Sequence, residues 1–246
     1  MNVKQITNLF SLMEFFVRAQ RPLAVKDMVA EFGWPRSSVF NTVSTLVDLG
    51  YLYQPVARGG YYPTTKWMEL ARQLSEAQPL PESLHQLLEE LASKTGETLF
   101  LAAPEGTSIV FLDVVESLAD IRFIANIGQR LPIHVTAAGR AILSQYAPAE
   151  RAATLRRIQY QPYERDDFMT PEAVEDNIQQ GLSQGWFVNP GIYAPGVAGV
   201  AVAFPFQGQR YAIALGGPAS RLEKNMASLG ELLQTSVDQF LHDNES

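Results

Sequence analysis

The chain of 246 residues is 46% apolar and 18% charged, enough material for one large domain or two ordinary ones. It contains no Cys, which excludes disulfides, thiolate zinc sites and cysteine nucleophiles, and no apolar run approaches the roughly 18 residues of a membrane helix. The net charge of −7 is unevenly held, with 8 Lys+Arg against 5 Asp+Glu in residues 1–75 and 11 against 21 in residues 76–246. A mildly basic segment on an acidic remainder suits a nucleic-acid-reading head, although a chance imbalance of a few charges gives the same pattern. No secretory leader order is present at the start of the sequence, so a cytoplasmic protein without membrane association is expected.

In chain order, Ile6, Leu9, Phe10, Met13, Phe16 and Val17 predict a first helix with a broad apolar stripe, ended at Arg21-Pro22. Val25, Met28, Val29 and Phe32 predict a second helix, stopped by Gly33 where positive φ is easiest. Trp34 makes a turn, and Pro35 opens a third helix at the position where its missing N–H costs nothing. Val39, Val43, Leu46 and Val47 share one face of that helix, while Ser38, Asn41, Thr42 and Thr45 share another. Gly50 ends it. Tyr51-Leu52-Tyr53 and Tyr61-Tyr62, on either side of Arg58-Gly59-Gly60, predict a two-stranded hairpin. Helix, tight turn, helix, hairpin is the order of a winged helix-turn-helix. A further helix from Thr64 to about Glu76 carries Trp67, Leu70, Ala71 and Leu74 on one side, and the two prolines in Ala77–Pro81 mark a boundary.

Beyond it, a helix over Pro81–Lys94 is followed by strands at Thr98–Ala103, Ser108–Val115 and Ile121–Ile127. Helices are predicted at Thr136–Tyr146, Pro148–Arg157 and Pro171–Leu182, the last capped by Thr170. Val197–Phe206 and Arg210–Leu215 form a hairpin, and a long helix over Leu222–Leu241 closes the chain. The fold class is therefore α+β, a winged helix-turn-helix followed by an antiparallel-sheet domain.

The third helix is the strongest carrier of chemistry. Arg36, Ser37 and Ser38 lie in its first turn, where backbone N–H groups favour phosphate. Asn41 can pair bidentately with adenine, and Thr45 or Phe40 can meet a thymine methyl. Lys26, Thr42 and, at the wing tip, Arg58 complete the DNA-contacting set. A winged domain used for protein contact is the alternative. A second candidate is an effector pocket. Asn126, Gly128, Leu131 and His134 lead into Ala137, Ala138 and Gly139, where small residues at a helix start let an anion or carbonyl reach bare N–H donors. Close helix-on-sheet packing needs the same residues. Asn189, Gly199, Ala214 and Gly216 are expected to line the same cavity.

Enzyme readings find little. His85, His134 and His242 are far apart, none in metal-ligand spacing, and no nucleophile elbow or Walker loop occurs. His134 reads as a hydrogen-bonded structural residue, and Glu164, Asp166 and Asp167 as a solvated loop. No catalytic residue, metal or cofactor is expected.

The residues resemble the IclR family of bacterial transcriptional regulators over nearly the whole chain. In the first part the resemblance rests on Pro35-Arg36-Ser37-Ser38, Leu49-Gly50-Tyr51 and Tyr62. In the second it rests on Thr95-Gly96-Glu97-Thr98, Gly128 followed by Leu131-Pro132-Ile133-His134, Ala138-Gly139-Arg140-Ala141, Gly185-Trp186, Gly196, Ala201-Val202-Ala203 and Gly217-Pro218. It implies a DNA-binding head over 1–64, a linker helix over 65–80 and a GAF-like effector-binding domain over 81–246. It also implies homodimers or homotetramers on palindromic double-stranded operators, with a small-molecule effector. The chain departs from the family pattern at Asn41, where Arg is usual, and at Asn189, Gly191 and Ile192, where acidic residues are common. It also has Gly199 for a frequent Cys, and Ala214 and Gly216 for two frequent serines. These losses point to a less polar pocket and an organic acid as effector, an aromatic one among the candidates. A second domain that only oligomerises is the competing reading.

Overall fold

A computed structural model describes residues 3–56, 59–76, 80–161 and 170–244. The chain divides into two compact units, Met1–Gln78 and Pro79–Ser246.

The first unit packs three helices, α1 (Lys4–Ala19), α2 (Val25–Phe32) and α3 (Arg36–Asp48), with a short hairpin of β1 (Leu52–Tyr53) and β2 (Tyr62–Pro63), and ends in α4 (Lys66–Glu76). Its core is Leu12 and Phe16 of α1, Met28 of α2, Val39, Val43 and Leu46 of α3, and Leu23 and Leu52. Gly33 caps α2 with φ of 65°, as its place predicts. The hairpin has a third member, because Leu23 and Tyr61 exchange both main-chain hydrogen bonds at 2.9 and 2.8 Å. Gly60 makes this approach possible: a Cβ there would stand 2.8 Å from the Leu23 nitrogen.

The expected apolar stripe of α1 splits. Leu9, Leu12, Met13 and Phe16 turn inward, while Ile6, Phe10 and Val17 are 56–73% exposed. A three-helix head covers only one side of each helix, and the stripe is wider than that side. Val47, grouped by periodicity with the α3 core, is likewise exposed. Trp67 of α4 packs on the Tyr51 ring (4.6 Å) and donates to the Tyr51 carbonyl, whereas Leu70 and Leu74 stay exposed.

The second unit is a six-stranded antiparallel sheet ordered β5-β4-β3-β8-β7-β6. Its strands are β3 (Thr98–Glu105), β4 (Ser108–Val115), β5 (Arg130–Pro132), β6 (Phe187–Asn189), β7 (Val197–Phe206) and β8 (Gln209–Pro218). Its helices are α5 (Glu82–Thr95), α6 (Ala137–Ser144), α7 (Pro148–Leu155), α8 (Pro171–Gln184), α9 (Ala219–Leu222) and α10 (Met226–Asp243), with a single 3₁₀ turn at Glu223–Asn225. Thr170 caps α8 by accepting the Ala173 N–H.

Strand periodicity sorts the side chains onto two faces. Leu99, Leu101, Val200, Val202, Phe204, Ile213 and Leu215 join α5 and α10 in one core. The alternate positions Ala102, Ala201, Ala212 and Ala214 face α6 and α8 in another. The second face also holds Phe100, Ile109 and Phe111, but the alanines of β3, β7 and β8 leave room for α6 to lie close to the sheet.

Two expectations are corrected. Residues 121–127 form no strand: Ile121, Ile124 and Ile127 are exposed, and the Thr98 hydroxyl, not a neighbouring strand, donates to the Phe123 carbonyl at 2.6 Å. The edge of β4 is instead taken by residues that fold back through the turn at Gly128, so that Arg130–Pro132 pairs with Ser108–Val110. The long final helix is also interrupted, by the 3₁₀ turn before α10. The acidic stretch Glu164, Asp166 and Asp167 lies outside the described residues.

Candidate DNA interface and effector cleft

In the first unit, burial of Val39, Val43 and Leu46 leaves the opposite side of α3 outward. Arg36, Ser37, Ser38, Phe40, Asn41 and Thr45 are exposed there, and Thr42 is half-buried. The Thr42 and Thr45 hydroxyls donate back to the carbonyls of Ser38 (3.0 Å) and Asn41 (2.8 Å). Those hydroxyls are committed to the helix, so the Thr45 methyl becomes the natural partner for a base. Asn41 keeps its amide uncommitted, as bidentate pairing requires. Lys26 is exposed on α2, and Arg58 lies outside the described residues.

In the second unit, a cleft of about 470 Å³, its open mouth included, lies over the small-residue face of the sheet. The turn before α6 builds its floor. Thr136 donates to the Pro132 carbonyl (3.0 Å) and accepts the Gly139 N–H (3.1 Å). The N–H groups of Ala137 and Ala138 lie ahead of the first helical bond, from the Arg140 N–H to the Thr136 carbonyl. Leu131, Ala137, Ala138, Asn189, Gly199, Ala214 and Gly216 of the expected set line the cleft. Asn189 is buried, and its Oδ1 accepts the Ile192 N–H at 2.9 Å, which leaves its two amide N–H groups as donors.

The other four expected residues are not on the cleft wall. Asn126 and Gly128 form the exposed turn that returns the chain to β4, with Gly128 at φ of 81°. Gly139 serves packing: a Cβ would fall 1.9 Å from the Ile133 carbonyl oxygen. His134 is only 2% exposed and meets the Tyr160 ring edge-on at 5.1 Å. Burial, reinforced by the Arg140 charge, pushes its pKa down to about 4, so it is neutral at pH 7. Arg140 is itself wholly buried, and burial lowers its pKa to about 9. It donates to the carbonyls of His134 (3.1 Å) and Val188 (2.5 Å), tying α6 to β6.

The aromatic walls, Phe100, Phe123 and Tyr193, are absent from the sequence-based set. Phe100 was legible from alternation along β3, on the same face as Ala102. Phe123 was hidden by the strand expected at 121–127. Its ring occupies the place of a Gly216 side chain, since a Cβ there would stand 2.9 Å from Phe123 Cδ1. No ionisable Asp, Glu, Lys, Arg or His side chain lines the cleft among the described residues. Nor do three or more His, Asp or Glu gather there or elsewhere as a metal cluster, again among the described residues.

The family profile described as IclR helix-turn-helix domain matches residues 5–55, and that described as Bacterial transcriptional regulator IclR C-terminal matches residues 73–241. The acetate operon repressor of Salmonella typhimurium is 23% identical over 240 residues, covering 94% of this chain and 86% of the relative. The HTH-type transcriptional regulator XynR of Escherichia coli is 26% identical over 201 residues, 81% of this chain and 79% of its own. Among solved structures, the Thermotoga maritima IclR superposes with a TM-score of 0.76 at 18% identity, covering 98% of this chain and 99% of the other. An IclR homologue of Microbacterium hydrocarbonoxydans complexed with 4-hydroxybenzoate gives 0.64 at 19% identity, covering 98% of this chain and all of its own. No described helix is long and apolar enough to cross a membrane. With an exposed polar helix on a helix-turn-helix head and a cleft-bearing antiparallel domain behind both profile matches, the chain belongs to the IclR family of bacterial transcriptional regulators, DNA-binding proteins with a C-terminal effector-binding domain.

Proposed function

We propose that this chain is a cytoplasmic, effector-responsive regulator that binds a palindromic operator as a homodimer or homotetramer, and that its effector is a small carboxylic acid with an apolar, aromatic body. The reading of the effector is carried by the make-up of the cleft. The Ala137 and Ala138 N–H groups and the Asn189 amide offer three directions of donation to one carboxylate. Around them stand Phe100, Phe123 and Tyr193, and among the described residues no charged side chain is there to satisfy a second anionic or strongly polar group. The 4-hydroxybenzoate held by the Microbacterium relative is of this class. Asn126, Gly128, His134 and Gly139 act from behind the wall, in shaping the turn and seating α6. Division of the chain into a head over 1–64, a linker over 65–80 and an effector domain over 81–246 assigns α4 to setting the spacing of two heads. Exposed Ile6, Phe10, Val17 and Met68 supply apolar surface for self-association.

Isothermal calorimetry with benzoate, 4-hydroxybenzoate, pyruvate and glyoxylate tests the effector class. Burying about 100 Å² of ring at about 25 cal/mol/Å² favours the aromatic acids by at least tenfold after ordering costs. Tight pyruvate or glyoxylate binding with no heat from either aromatic acid would reject the assignment. Effector binding is expected to change operator affinity 5- to 150-fold, the range of about 1–3 kcal/mol of coupling.

DNA recognition is tested on the duplex upstream of the coding region. Arg36→Ala should weaken binding to all sequences and flatten the salt dependence by about one unit. Asn41→Ala should relax preference at one base position, costing about 1–3 kcal/mol there. Wild-type behaviour in both variants would show that α3 does not enter the groove.

A further inference from the structure

The described cations of the head fall into two groups. Arg18, Arg21 and Arg72 are held by Glu31, Asp27 and Glu69, and Lys66 donates to the Leu49 carbonyl at 2.7 Å. Among the described residues Lys4 and Arg36 have no carboxylate partner, and Lys26 feels only its chain neighbour Asp27, which Arg21 already holds. The position of Lys4 is informative. With Gln5 and Asn8 it forms one wall of a cleft of about 770 Å³, open mouth included, whose other wall carries Trp34, Ser38 and Asn41. Lys4 and Asn8 are one helical turn apart and so share a face of α1. Among the described residues, the Gln5 and Asn8 amides are committed to no side-chain hydrogen bond and no carboxylate lines the cleft.

An α-helix with its side chains is about 10–12 Å across, and the major groove is about 12 Å wide. A helix reading that groove therefore has a sugar–phosphate strand close along each flank. Whatever shares a cleft with Ser38 and Asn41 faces one of those strands. We propose that Lys4, Gln5 and Asn8, gathered across this cleft from Ser38 and Asn41, are a second DNA-contacting element that grips the phosphodiester strand bordering the major groove. The inference rests on the reading of α3 as the groove helix. The ammonium of Lys4 neutralises one phosphate, and the two amides donate to neighbouring phosphate oxygens. These contacts set the register of α3 without reading sequence themselves.

Fluorescence anisotropy of the full chain with a labelled 30-bp duplex of random sequence, titrated between 50 and 300 mM NaCl, tests this. Lys4→Gln should reduce the slope of log K against log[salt] by about 0.9 for each head engaged, and weaken binding roughly 8-fold per head at 0.1 M salt. Lys4→Arg should keep the wild-type slope. Asn8→Ala should weaken binding about 2- to 10-fold with the slope unchanged, as the loss of a neutral hydrogen bond does. Lys4→Gln with the wild-type slope, alongside Arg36→Ala with a reduced one, would overturn this proposal and leave the groove helix standing. Failure of the wild-type chain to bind the duplex even at 50 mM salt would overturn both.

Discussion

Gly139→Ala is expected to destabilise the second unit by about 3 kcal/mol, at the upper end of the usual cost of overpacking. The added Cβ would stand 1.9 Å from the Ile133 carbonyl oxygen and 2.6 Å from the Ile133 Cα. Both are main-chain atoms, held by the β5 ladder and by the Ile133 N–H bond to Thr107 at 3.1 Å, so no flexible side-chain end can move aside. Helix α6 must lift from the small-residue face of the sheet, where it packs against β3, β7 and β8. Since Ala137 and Ala138 open that helix, the effector cleft should deform with it. Thermal unfolding with calorimetric titration in parallel checks this: a lower transition and weakened aromatic-acid binding are expected. An unchanged transition would mean that α6 does not sit against the Ile133 carbonyl.

Acidification from pH 7 to pH 4 is expected to remove about 3 kcal/mol through His134 alone. The sign follows from linkage. The folded pKa, about 4, lies below the unfolded value of about 6.5, so the unfolded chain takes up a proton that the folded one refuses. Stability from this source is complete above pH 6.5 and declines as pH falls toward 4. That difference between the two states is worth about 3 kcal/mol. The carboxylates of Glu105, Glu150 and Glu175 act lower in the scale: Arg130, Arg210 and Arg151 hold their pKa values below the usual range, so their contribution is lost below about pH 4.5. Between pH 6.5 and 5 the carboxylates are silent, but His85, whose pKa its hydrogen bond to Asp113 raises, titrates with the opposite sign, so the difference between the wild-type chain and a His134 variant isolates the buried imidazole. Denaturant midpoints measured across this window should fall more steeply for the wild-type chain than for His134→Phe, whose ring keeps the contact with Tyr160 and carries no proton, while the His85 contribution is common to both and cancels in the difference. Parallel pH profiles for the two proteins over that window would refute a buried neutral His134.

Much of the architecture was legible because local chemistry and tertiary packing agree. Gly33, Pro35 and the Val39–Val43–Leu46 spacing are punctuation and periodicity within a dozen residues, and α2 and α3 follow them. The outward set on α3 followed from the inward one. Thr170-Pro171 announced α8 in the same way, and Val197–Phe206 with the Gly208 turn announced the β7–β8 hairpin. Where the readings diverge, a partner distant in the chain decides. Residues 121–127 alternate like a strand, yet the Thr98 hydroxyl takes the Phe123 carbonyl and exposes Ile121 and Ile124. Strand β6 is three residues long, too short for periodicity to register, and exists because β7 offers an edge.

The site divides along the same line. Residue types alone established a helix with an outward polar face, a cysteine-free chain, and a run of small residues at the start of α6. These are properties of neighbours in the chain, where spacing maps directly onto a face or a cap. Whether those small residues serve a ligand or a packing contact was open at that level, and three-dimensional packing gives each its own part: Ala137 and Ala138 border the cleft, while Gly139 is spent on the Ile133 carbonyl. Packing likewise brought in Phe123 and Tyr193, withdrew His134 against Tyr160, and set Lys4 and Asn8 of α1 beside Asn41 of α3. Each of these juxtapositions joins segments tens of residues apart, and only the closing of a core around them sets the distance between such segments.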